Sequence, residues 1–252
     1  MKIAVITGAS SGMGREAALL LAERFPGFDE LWVIARREER LNELAKQCKV
    51  RLRTFVLDLA KEEDLQVLAS ALKAASPDVK FLVNAAGYGK IGPVGSLPGG
   101  EQTGMVRLNC EALCAVTSMV LPYMAHNSRI IMFASAAAFL PQPDFAVYAA
   151  TKAFVLSYSR ALNEELRDRD IAVTAVCPGP VKTEFFDIAE TTGQIPLYKR
   201  LVMANPRSVV RTAVMDSIMK RDLSVYGFTM KAFRLLCKLV PHRLLLHAMR
   251  KF

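Results

Sequence analysis

Ile3-Ala4-Val5-Ile6-Thr7-Gly8-Ala9-Ser10-Ser11-Gly12-Met13-Gly14 stands at the start of the chain, and its reading decides the fold. Ile3 to Ile6 is a short apolar run of the length and placement of a buried parallel strand. The glycines that follow allow positive φ and close backbone approach. The stretch Arg15 to Phe25 then reads as a helix, whose N-terminus offers unpaired N–H groups to an anion. Strand, glycine-rich turn and helix in this order make a nucleotide-phosphate site. The spacing is G-x-x-x-G-x-G, which differs from the common G-x-G-x-x-G fingerprint.

Working outward, strands are expected near 2–7, 30–35, 52–57, 80–84, 129–134, 171–177 and 223–226, with helices filling the intervals. Alternating strand and helix is the mark of a parallel sheet with crossover connections. The expected fold is α/β, a doubly wound parallel sheet of about seven strands with helices on both faces. With 52% hydrophobic residues among 252, there is enough apolar material for a sheet covered on both sides. No repeat, low-complexity tract or linker divides the chain. Gly92 to Gly100 reads as a loop.

A second signal lies far from the first. Tyr148-Ala149-Ala150-Thr151-Lys152 puts a phenol and an ammonium one helical turn apart, thirteen residues after Ser135. A free phenol titrates near ~10, and a neighbouring cation is expected to pull that value down. The pair reads as a tuned acid/base for an alcohol or carbonyl, with a serine hydroxyl able to bond the same oxygen.

Together these elements resemble the short-chain dehydrogenase/reductase family over roughly residues 2 to 226, with a Rossmann-type fold. The resemblance implies catalytic roles for Asn109, Ser135, Tyr148 and Lys152, with Asn109 holding a proton-relay water. It implies cofactor contacts along Gly8, Ser10, Ser11, Gly12, Met13 and Gly14. Others follow at Asp58 and Leu59 after the third strand, and at Asn84, Ala85, Ala86 and Gly87 closing the fourth. Pro178, Gly179, Val181 and Thr183 match the segment around the nicotinamide, where Tyr148 and Lys152 also reach the cofactor. A homo-dimer or homo-tetramer is the family's usual assembly. An epimerase or dehydratase acting on nucleotide sugars fits poorly, because the glycine spacing differs and no larger substrate domain follows.

Charge bears on the cofactor. An acid closing the second strand favours NAD, whereas arginine accommodates the 2′-phosphate of NADP. Here Ala35 is followed by Arg36 and Arg37, so NADP(H) is expected over NAD(H), with Arg36 the first ligand and Arg37 the second. The competing account makes both a solvated helix start. Five cysteines without C-x-x-C, and three histidines without ligand-like company, argue against a disulfide framework and a metal site.

The expected substrate-facing residues are apolar: Phe139, Leu140, Pro141, Pro143 and Phe145, then Phe185, Phe186, Ile188, Ile195, Leu197, Tyr198 and Leu201. A hydrophobic ketone or alcohol suits them, although they could also pack a lid. The rival function is a non-catalytic NADP-binding sensor or scaffold, against which the intact Ser135, Tyr148, Lys152 and Asn109 argue.

The chain divides into a catalytic region, 1–226, and a basic amphipathic segment, 227–252. From Leu223 to Phe252 there are six Lys/Arg and no acid, leaving only +3 of the net +9 for all the rest. Lys231, Arg234 and Lys238 fall on one helical face, with Met230, Phe233, Leu236 and Val240 on another. After Pro241, Arg243, His247 and Arg250 oppose Leu245, Ala248, Met249 and Phe252. Packing over the substrate mouth, a subunit contact and peripheral membrane contact through 228–252 are all open. Nucleic-acid binding is not expected, for want of a stacking platform or reading motif. Lys2 leads straight into a strand, so no secretory leader is expected, and no run approaches the ~20 apolar residues that span a bilayer. The expected location is cytoplasmic.

Overall fold

The computed structural model describes residues 1–190 and 203–249. Seven strands form one parallel sheet in the order β3-β2-β1-β4-β5-β6-β7. They are β1 (Lys2–Thr7), β2 (Glu30–Ala35), β3 (Leu52–Val56), β4 (Asp78–Asn84), β5 (Arg129–Phe133), β6 (Ala172–Val176) and β7 (Leu223–Ser224). The strand order reverses between β1 and β4, and the crevice at the carboxyl ends of such a pair is where doubly wound sheets bind ligands.

The central strands are apolar on both faces because both faces are covered, whereas the edge strand β3 leaves Arg53 and Thr54 exposed. Ile3 and Val5 of β1, with Trp32 and Ile34 of β2, enter one core beneath α3 (Glu62–Ala75), α5 (Ala112–Val120) and α6 (Ala146–Glu165). Ala4, Ile6, Leu31 and Val33 face the opposite core beneath α1 (Gly12–Arg24) and α2 (Glu38–Ala45). That core is completed by α8 (Pro206–Ile218). The remaining α-helices among the described residues are α4 (Gly99–Val106), α7 (Phe185–Ala189), α9 (Phe228–Leu239) and α10 (His242–Met249).

Two expectations are corrected by the helix bounds. The first helix starts at Gly12 rather than Arg15, so the last part of the glycine-rich turn is already helical. The glycine-rich loop ends at Pro98, because Gly99 and Gly100 open α4. Gly99 to Tyr123 runs as one 25-residue helix, long and apolar enough to cross a bilayer by length and composition alone. It is a core helix instead: Leu113, Val116 and Val120 are buried against the sheet, and a π-helical turn, Arg107–Glu111, interrupts it.

Candidate active site

The cleft begins where β1 ends. Thr7 Oγ1 accepts hydrogen bonds from the N–H groups of Ala85 and Ala86, both at 3.1 Å, which ties β1 to the loop leaving β4. Gly8 follows at φ +68°, and a Cβ there would stand 2.8 Å from the Ala85–Ala86 backbone. Only glycine combines that conformation with that approach. Helix α1 then starts without a side-chain cap on Ser11 and with no acid in its first turn. Its N–H groups therefore stay available to an anion.

A cleft of about 290 Å³ opens at this point. Of the residues expected to bind cofactor, it gathers Gly8, Ser10, Ser11, Gly12, Met13, Gly14, Arg36, Arg37, Asp58 and Leu59 on the dinucleotide side. Ala85, Ala86, Gly87, Tyr148, Lys152 and Thr183 complete it. Asp58 closes its own turn, its Oδ1 accepting from Ala60 N at 3.2 Å. Asn84 does not line the cleft: its Nδ2 donates to Thr117 Oγ1 at 3.0 Å inside the core and ties β4 to α5. Pro178, Gly179 and Val181 line an adjoining cavity instead.

The two arginines after β2 differ in their surroundings. Arg36 is exposed at the lip and pairs with no carboxylate among the described residues. Arg37 donates to Ser10 Oγ at 3.2 Å and to Glu184 at 2.8 Å, while Arg40 stands 3.7 Å from the same carboxylate. These guanidinium groups, Arg37 foremost, hold the Glu184 carboxyl below its ordinary range. Nothing in the local sequence pointed to Glu184, which lies 147 residues from Arg37.

The catalytic candidates meet at the carboxyl ends of β4 and β5. Ser135 caps the short helix Ala136–Phe139, its Oγ accepting from Ala137 N at 3.1 Å. The same hydroxyl lies near enough to the Tyr148 phenol to favour its ionised form. Tyr148 and Lys152, one turn apart on the buried face of α6, are both enclosed. Lys152 Nζ donates to Phe133 O at 2.8 Å and lies 5.6 Å from the Tyr148 ring centre. The expected depression of the phenol pKa is corrected. Burial pushes Tyr148 up to about 12, against the lowering influence of Ser135 and with buried Cys177 adding to the rise. Burial brings Lys152 down to about 8. Desolvation disfavours whichever form carries charge, so both groups move toward neutrality.

Asn109 sits in the π-helical turn, a distortion frequent at functional sites. Its amide is fully engaged. Oδ1 accepts from Tyr88 N at 3.0 Å, and Nδ2 donates to Tyr88 O at 2.9 Å and Thr151 Oγ1 at 3.1 Å. A Cβ on Gly87 would lie 2.8 Å from Asn109 Oδ1 and 3.5 Å from Lys152 Nζ, so these groups converge beneath the cleft. Thr7, Tyr88 and Thr151 were not foreseen as site residues. Thr7 and Thr151 sit inside the quoted motifs, which was the available signal.

A second cavity of about 130 Å³ adjoins Ser135 and Tyr148. Phe145, Phe185 and Phe186 wall it, and Phe145 stacks on Tyr148 with ring centres 4.3 Å apart. Gln142 is there too, and none of the described lining residues is charged. Phe139 and Leu140 turn elsewhere: Phe139 packs against the larger core and Leu140 is buried. Ile195, Leu197, Tyr198 and Leu201 lie outside the described residues. No His/Cys/Asp/Glu group suited to a metal occurs among the described residues.

The short chain dehydrogenase family profile matches residues 2–192. The chain is 33% identical over 222 residues to a very-long-chain 3-oxoacyl-CoA reductase of Neurospora crassa, covering 84% of this chain and 63% of that protein. It is 38% identical over 189 residues to sulfoacetaldehyde reductase 2 of Chromohalobacter salexigens, covering 73% and 74%. A short-chain dehydrogenase from Sphingobium yanoikuyae, solved in complex with NADPH, superposes with a TM-score of 0.79 at 25% identity, covering 96% of each chain. The chain thus spans less than two thirds of the Neurospora relative but nearly the whole of the Sphingobium structure. By profile, by sequence and by fold, it belongs to the short-chain dehydrogenase/reductase family, whose oxidoreductases act between alcohols and carbonyls.

Proposed function

We propose that this protein is an NADP(H)-dependent reductase that interconverts a bulky hydrophobic ketone and its secondary alcohol. The substrate cavity carries the proposal: phenylalanine walls, no charge among its described lining residues, and the Ser135 and Tyr148 hydroxyls at its base. A sulfonate such as the Chromohalobacter relative's name implies would need a cation, and the described walls offer none. The long-chain 3-oxoacyl substrate named for the Neurospora relative suits them better.

The cleft residues fit a nicotinamide dinucleotide. The uncapped start of α1 and the close backbone approach at Gly8 suit a pyrophosphate. Arg36 and Arg37 suit a 2′-phosphate. When bound, the cofactor supplies hydride in reduction and takes it up in oxidation. Tyr148 keeps its proton at neutral pH and gives it to the substrate oxygen in reduction. Ser135 donates a hydrogen bond to that oxygen as negative charge develops there. Lys152, fixed by the Phe133 carbonyl, would hold the nicotinamide ribose. Asn109 pins the Tyr88 backbone to α6 and keeps Gly87 against Lys152.

The family's homo-oligomeric assembly belongs to the same reading. The outer face of α6 supports it, with exposed Phe154 stacked on Tyr158.

A ketone panel with NADPH and NADH tests the proposal. Turnover is expected on steroid-like and long-chain acyl ketones with NADPH, and little on small polar aldehydes. Tight NADPH binding without turnover would favour the sensor reading. Arg36→Ala is expected to raise KM for NADP⁺ far more than for NAD⁺; equal effects would remove Arg36 as the phosphate ligand.

A further inference from the structure

Helix α9 has three faces, and the reaction uses none of them directly. Met230, Phe233 and Cys237, spaced i, i+3 and i+7, form the inward seam. This seam packs on the short helix behind Ser135, and Met230 Sδ lies 2.5 Å from where a Cβ on Gly179 would stand. The expectation that Leu236 belongs to this seam is corrected, because Leu236 faces solvent. With it, Phe228, Leu235 and Leu239 make a second apolar stripe on the outward side. Phe228 is 85% exposed, Leu239 71%, and Leu244 on α10 is 61% exposed. The third face carries Lys231, Arg234 and Lys238, all exposed. None of the three pairs with a carboxylate among the described residues, and no acid occurs from Leu223 to Phe252.

We propose that α9 and α10 form a docking surface for a bilayer rich in anionic lipid. The outward leucines and Phe228 enter the interface, and Lys231, Arg234, Lys238 and Arg243 meet the headgroups. Two observations choose this occupant. An uncompensated basic stripe beside an exposed apolar stripe complements a surface that is anionic outside and apolar beneath. A two-fold contact between copies would instead set each basic stripe near its own image, with no carboxylate on the segment to relieve it. The inward seam is a separate face, so docking leaves its contact with the Ser135 helix in place. The proposal does not depend on the substrate assigned above.

Flotation of the full chain with vesicles tests it, using phosphatidylcholine alone and phosphatidylcholine mixed with phosphatidylglycerol. Binding is expected to the mixed vesicles only, and to weaken with added salt. Leu235→Glu with Leu239→Glu should abolish flotation while circular dichroism and ketone turnover stay as in the wild type, since both positions are exposed. Lys231→Gln, Arg234→Gln and Lys238→Gln together should weaken binding roughly a hundredfold, at about one headgroup attraction lost per residue. Absence of flotation at low salt would overturn the proposal, as would wild-type flotation by either variant. A self-association lost in Leu235→Glu with Leu239→Glu, without any flotation by the wild type, would assign the face to a second copy.

Discussion

Tyr148 and Lys152 stand one helical turn apart on α6, and the surrounding core encloses both. Enclosure dominates, holding Tyr148 near 12 and Lys152 near 8. The proton therefore rests on Tyr148 at neutral pH, where reduction needs it. Tyr148→Phe is expected to cut turnover about 10²–10⁴-fold and leave the cofactor Kd nearly unchanged. Wild-type turnover by that variant would remove Tyr148 as the acid. Lys152 makes a thermodynamic prediction. Its ordinary value is 10.5, so between 8 and 10.5 the unfolded chain holds a proton that the folded chain has released. Stability then rises with pH across that window, and the cost of burying the charge is fully present below 8. Lys152→Met removes this dependence. The melting temperature of the variant relative to wild type should be highest below pH 8 and decline toward pH 10.5; a pH-independent difference would show that Lys152 titrates normally.

The strands were the most legible elements. Each expected strand is present, displaced by at most two residues at either end, because most are short apolar runs bounded by polar or turn residues, β3 with Arg53 and Thr54 being the exception. The π-helical turn at Arg107–Glu111 left no such trace, since one extra residue within a helix barely disturbs an apolar pattern. Its consequence is local and testable. The turn directs Asn109 inward, where three hydrogen bonds join Tyr88 to Thr151. A residue whose sole task was to hold a water would be replaced at little cost to folding. Asn109→Ala strands the part-buried main-chain groups of Tyr88, so urea unfolding should show a loss in the lower part of the range of about 1–3 kcal/mol. A loss of activity with no loss of stability would leave holding a water as the task of Asn109.

At the scale of the whole molecule, the two ends of the chain meet the same site by different routes. Composition separated a nearly neutral body from a basic C-terminal segment, but a helical wheel could not say which of several apolar positions would pack. The body decides that: Met230 is drawn in because Gly179 leaves it room, while Leu235 and Leu239 stay exposed among the described residues. Helix α9 thus supports, from outside the sheet, the Ser135 helix and the Pro178–Pro180 segment that wall the substrate cavity. The dinucleotide cleft is built from the opposite half, around β1, β2 and the start of α1. A cavity at Met230 should therefore loosen one half and spare the other. Met230→Ala is expected to cost about 1–2 kcal/mol, toward the lower end for a large-to-small change because Met230 is only partly buried. It should lower kcat and raise KM for the ketone while leaving the Kd for NADP⁺ unchanged. An equal weakening of ketone and cofactor binding would mean that the two halves respond as one unit, and that α9 stabilises the whole fold rather than the substrate side.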